Sequence, residues 1–134
     1  MRRPLLAISL AAFSLAAAAR SVWDGVYTRE QAQRGQSAYA EECMKCHAEN
    51  LAGGEDAPAL SGDAFLHKWN SQTVGALFES IRKTMPSDDP GNLSTRQCAD
   101  IVAYILSVND FPAGQKELEH EATPLNEIRI EAKR

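Results

Sequence analysis

The sequence predicts an all-α protein, and three observations carry that expectation. Apolar residues recur at helical spacing in two stretches, Val74, Leu77, Phe78 and Ile81, then Cys98, Ile101, Val102 and Ile105. Helix-start signals stand before each: Thr73 in one case, Ser94 followed three residues later by Gln97 in the other. No stretch sustains the period-two alternation of a half-buried strand. At 134 residues the chain has room for one domain around a single core.

Residues 1–19 read as an export signal. Arg2 and Arg3 precede an apolar run over 5–19, and Ala17 and Ala19 fit a small-residue cleavage site before Arg20. The alternative is a retained anchor, but the run is about fifteen residues where roughly twenty are needed to span a bilayer. The expected organisation is a signal at 1–19, a helical domain at 20–112 and a tail at 113–134. After cleavage the chain is periplasmic or otherwise exported, with no membrane span.

Within the domain, Thr28 and Gln31 resemble a capping box that opens a first helix through Gln33, Ser37 and Tyr39. Two glycines and a proline make residues 51–58 a loop, and Ser61 is placed to cap a short turn ending at Trp69. The helix begun at Thr73 must stop before Pro86, because the residue preceding a proline is pushed out of the α region. Met85 therefore stands where chain leaves helix. A loop rich in glycine and proline follows over 87–92, and the last helix ends near Asn109, before Pro112. Beyond it the chain is charged and weakly periodic, as expected of a tail lying on the surface.

Charge narrows the partners. Losing Arg2 and Arg3 from 14 basic residues leaves 12 against 18 acidic ones, a formal charge of −6. That does not suit a nucleic acid, whose phosphates require a cationic face. An acidic exported domain meets other proteins, and charge then steers the encounter.

The chemistry centres on C-M-K-C-H at residues 43–47, which uses two of the three cysteines and one of the three histidines. Zinc needs about four sulfur or nitrogen ligands, and His67, His120 and Cys98 form no second knuckle. A catalytic or structural disulfide leaves the adjacent histidine unexplained, and a thioredoxin-like reading needs a βαβ context that is not visible. Haem attachment accounts for every member of the stretch. Cys43 and Cys46, one helical turn apart, are placed to add to the two vinyl groups of one porphyrin, with His47 offering an imidazole to its iron.

Such an iron takes a sixth ligand or keeps an open position. Met44 lies between the two cysteines, too close to reach the opposite face. His120 belongs to the tail, and His67 precedes Met85 without a comparable helix exit. Met85, at the end of an apolar stripe and held extended by Pro86, is the favoured ligand, because Met/His ligation is the arrangement of electron-transferring cytochromes c. A methionine in that position is otherwise an ordinary core residue.

These residues together resemble a class I monohaem cytochrome c. Gly35 lies eight residues and Tyr39 four residues before Cys43, as in that family, and A-D-I-V-A-Y-I at 99–105 is similar to its C-terminal helix. The resemblance implies a small cytochrome c fold with its N- and C-terminal helices crossing at Gly35, and Ile101 and Tyr104 packed on Gly35 and Tyr39. A-P-A-L-S-G at 57–62 is similar to the family's loop below the proximal histidine, which implies a hydrogen bond from His47 Nδ1 to the Pro58 carbonyl. The family usually has glycine where this chain has Ala57. Trp69 is similar to the tryptophan that donates to a haem propionate.

T-M-P-S-D-D-P-G-N-L-S at 84–94 looks like the cytochromes that accompany pyrroloquinoline-quinone (PQQ) dehydrogenases. The implied protein is a periplasmic one-electron carrier holding one haem c, with no substrate chemistry of its own. Its implied donor is a quinoprotein-type dehydrogenase, and its acceptor another cytochrome or a terminal oxidase. The rival reading is a five-coordinate haem c peroxidase or gas sensor. Two features stand beside the motif. Cys98 shares a face with Ile101, Val102 and Ile105 and reads as a small buried side chain more readily than as a redox switch. Asp88 and Asp89 read as a solvated turn or a docking patch.

Overall fold

The computed structural model describes residues 20–133, so the expected signal at 1–19 lies outside the described residues. Two helices cross to form the frame: α1 (Arg29–Glu42) and α5 (Thr95–Val108). At the crossing the backbone of Gly35 lies against the Asp100 carbonyl and Tyr104 Cβ, an approach only a residue without a side chain permits. One turn along, the rings of Tyr39 and Tyr104 meet at 5.4 Å. Both helices start as their sequence indicates, with the Thr28 hydroxyl accepting from Gln31 N and a reciprocal capping box between Ser94 and Gln97.

Shorter helices complete the frame: α2 (Met44–His47) follows α1 directly, then come α3 (Gly62–Trp69) and α4 (Val74–Thr84). Thr73 caps α4 through Ala76 N, and the helix buries Val74, Leu77, Phe78 and Ile81. It ends where Pro86 requires, with Met85 extended at φ −118° and ψ 150°. Ser61 stands at the start of α3 but makes no cap. Its hydroxyl donates to the Asn50 carbonyl instead.

The segment after Pro112 differs from the surface tail that its charge suggests. Leu118, Leu125, Ile128 and Ile130 are buried, and a short helix α6 (Ala122–Leu125) lies against α4. A two-stranded parallel ribbon pairs β1 (Arg20–Ser21) with β2 (Ile128–Arg129), where no strand was expected. Residues 20–27 and 111–131 are knitted further. Trp23 packs edge-on against Phe111 and donates from its indole to the Glu131 carbonyl, while the Tyr27 hydroxyl donates to the Phe111 carbonyl.

Gln31 explains part of this. It was expected to close a capping box with Thr28, yet its amide is buried and turned towards the C-terminal segment. Its Nε2 donates to the Leu118 carbonyl and its Oε1 accepts from Leu118 N, satisfying a buried stretch of backbone that has no strand partner there. Arg34 adds a second tie, pairing with the buried Asp100 of α5 and with Glu117.

Candidate cofactor site

The site begins with the join between α1 and α2. Cys43 ends the first helix and heads the second, so Cys43 and Cys46 fall one turn apart and His47 occupies the last position of the turn. The Tyr39 hydroxyl donates to the Ala48 carbonyl at 2.6 Å, fixing the chain just past the histidine. None of the three cysteines is joined in a disulfide. Burial, with smaller contributions from Glu42, Cys98 and Cys46, pushes the Cys43 thiol up to about 11. A catalytic disulfide pair needs the opposite shift, towards the thiolate.

His47 is buried, and its Nδ1 lies 2.8 Å from the Pro58 carbonyl. A carbonyl only accepts, so Nδ1 carries the hydrogen and Nε2 holds the free lone pair. Ala57 fits where a glycine stood in the resemblance, its carbonyl accepting from Gly54 N. The loop is tied to the end of α5 by Asn109, whose amide donates to the Leu60 carbonyl and whose Oδ1 accepts from Gly62 N. Sequence reasoning saw Asn109 only as a helix end. Its partners lie 47 and 49 residues away, and nothing near it in sequence marks them.

These segments surround a cleft of about 240 Å³. Cys43, Cys46 and His47 stand on its wall together with Met85, Pro58 and Trp69, while Leu77, Ile81, Ile101 and Ile105 make it apolar. Met85 is half-buried and packs against the core. Trp69 is nearly buried, with no acceptor for its indole N–H among the described residues and the Lys68 ammonium 5.7 Å from its ring.

The alternative ligands lie elsewhere. Met44 is 38% exposed, His67 is exposed, and exposed His120 contacts the Thr95 hydroxyl; none lines the cleft. Among the described residues no group of three or more histidine, cysteine or acidic side chains is gathered as a metal cluster. An apolar cleft with two thiols at its wall, one oriented imidazole and one thioether fits a flat, apolar, sulfur-tethered porphyrin better than a bare ion. Cys98 is fully buried in the core and is not part of the cleft wall.

One feature of the mouth was not legible in the sequence. Lys45, between the two cysteines, forms an ion pair with Asp88 in the loop after Met85. Asp88 is thus engaged within the chain, and Asp89 beside it is exposed. No helix among the described residues is long and apolar enough to cross a membrane.

The family model described as cytochrome c oxidase, cbb3-type, subunit III matches residues 30–105. No curated protein matches the sequence. Among solved structures, a chain of the sulfane dehydrogenase SoxCD from Paracoccus pantotrophus aligns with a TM-score of 0.48 at 18% identity. The alignment covers 80% of this chain and 60% of that one, so the chain spans less than two thirds of that structure's length.

Proposed function

This chain belongs to the cbb3-type cytochrome c oxidase subunit III family, a cytochrome c family whose domain holds iron in covalently bound haem c, and we propose that it is a periplasmic one-electron carrier with His/Met ligation. Cys43 and Cys46 tether the porphyrin through thioethers. His47 offers Nε2 to the iron, held by the bond from Nδ1 to the Pro58 carbonyl, and Met85 offers its sulfur. When bound, the haem supplies exchange of a single electron between its ferrous and ferric states.

The observation that supports this reading best is the position of His47 and Met85 on one apolar cleft, each supplied by a segment with little freedom. The imidazole is fixed through Pro58, and the thioether stands at the end of a capped helix. Two strong ligands close the iron to substrates, and a soft thioether favours the ferrous state and raises the potential. The apolar walls Leu77, Ile81, Ile101 and Ile105 keep water from the iron, which acts in the same direction. The chain then has no substrate chemistry of its own. Its donor is a periplasmic dehydrogenase of the quinoprotein type, by the similarity of residues 84–94, and its acceptor another cytochrome or a terminal oxidase.

Two measurements on protein purified from a periplasmic extract test this. The mature chain should weigh one haem more than its amino acids, and Met85→Ala should abolish the weak red band of ferric Met-ligated haem while lowering the potential. An unchanged spectrum places the ligand elsewhere. Ready binding of carbon monoxide by the native ferrous protein at neutral pH favours the five-coordinate sensor or peroxidase instead.

A further inference from the structure

The helix that ends at Met85 is gripped from outside by a segment that lies beyond the family match. Asn126, just past α6, sits so close to α4 that a Cβ at Gly75 would come within 2.0 Å of its Oδ1 and 2.7 Å of its backbone nitrogen. The Thr73 hydroxyl, the cap of α4, donates to the same Oδ1 at 3.3 Å. The chain leading into α4 is clasped as well. Ile130 N donates to the Gln72 carbonyl and Ser71 N to the Ile130 carbonyl, both at 2.8 Å, and Ala132 N donates to Asn70 Oδ1.

We propose that residues 122–132 form a positioning strap for Met85, setting where α4 lies along and around its own axis. The proposal rests on the reading of Met85 as an axial ligand. The segment grips the N-terminal turn of α4, and the cleft is lined from the other parts of the same helix by Leu77, Ser80 and Ile81. Between Gly75 and Met85 the helix is continuous, closed by a bond from Met85 N to the Ile81 carbonyl at 3.0 Å. A rod of ten residues spans about 15 Å and transmits a displacement at one end to the other. A ligand site tolerates misplacement of only about 0.5 Å. Gly75 is then required by the strap, since any side chain there would meet the backbone nitrogen of Asn126 at 2.7 Å.

The test uses purified holoprotein, the red ferric band, the reduction potential and the affinity for added imidazole, which competes with Met85 for the iron. A chain ending at residue 121 and full-length Gly75→Ala should each bind imidazole at least about tenfold more tightly than the parent, since a displaced internal ligand competes less. Both should lose potential while the far-UV helix signal is retained. Gly75→Ala introduced into the shortened chain should add nothing, because the atoms it meets are gone. If the shortened chain does not retain haem, the full-length variant decides alone. Parent-like imidazole affinity in Gly75→Ala overturns the proposal even where its melting temperature falls, and so does an equal effect of Gly75→Ala in both chain lengths. A parent protein without the red band, indifferent to Met85→Ala, overturns the axial assignment itself.

Discussion

A methyl group on Gly35 would stand 1.8 Å from the carbonyl oxygen of Asp100. The obstacle is backbone, so no rotamer change relieves it, and the two longest helices must separate. Overpacking costs about 1–3 kcal/mol, and rigid surroundings put this site at the upper end. Alanine returns about 1 kcal/mol through helix propensity. Gly35→Ala should therefore lower stability by about 2 kcal/mol. Denaturant unfolding checks this as a lower midpoint at an unchanged slope.

Gln31 supports a different contact. Replacing it by alanine leaves both the N–H and the carbonyl of Leu118 without partners in a buried setting. Each unpaired buried group costs about 1–3 kcal/mol, whereas the Thr28 cap of α1 is untouched. The Leu118 amide should lose its protection in hydrogen exchange, with the amides of α5 keeping theirs relative to the lowered global stability. Retained protection at Leu118 would show that the backbone finds another partner.

Thiol labelling separates the three cysteines. Burial pushes the Cys98 thiol up to about 11, so at pH 8 about one molecule in a thousand carries the reactive thiolate. Native holoprotein should take up no iodoacetamide, and denatured holoprotein one equivalent, at Cys98. Three equivalents after denaturation would mean that Cys43 and Cys46 hold no thioethers.

Acid should act through Glu79. Hydrogen bonds from Arg82 and Lys83, one and the other a helical turn away, hold its carboxyl down at about 2. A depressed native value stabilises the fold fully above the group's ordinary 4.5 and loses that contribution as pH falls towards 2. The stability difference between the parent and Glu79→Gln should be constant above about pH 5.5 and vanish towards pH 2. A difference that persists at pH 2 would assign the effect to packing.

Local chemistry was legible in the sequence, and long-range pairing was not. Pro86 announces the end of α4 because its restriction acts on its immediate neighbour, and Met85 is found for that reason. Ser94 and Gln97 form their box because both partners lie within one turn. Thr28 and Gln31 carry the same signature, yet Gln31 bonds a residue far along the chain, and nothing near it in sequence says so. The anchors Leu118, Leu125, Ile128 and Ile130 follow no single period, since each is placed by a different neighbour. A strand of two residues is too short to alternate. The cleft followed the same division: Cys43, Cys46 and His47 are contiguous and readable, whereas Asn109 and the pairing of Lys45 with Asp88 appear only once the chain is folded.

That last pair shapes how the mouth looks from a distance. Its two members are more than half exposed and adjacent, so beyond their own separation their fields cancel and what remains is a small dipole lying across the rim. Long-range attraction is then left to the uncompensated acids elsewhere on a chain of formal charge −4. Only within about one Debye length, about 8 Å at physiological salt, does the rim exert a torque on an arriving molecule. Capture and alignment are thus governed by separate groups, and added salt should weaken the first well before the second.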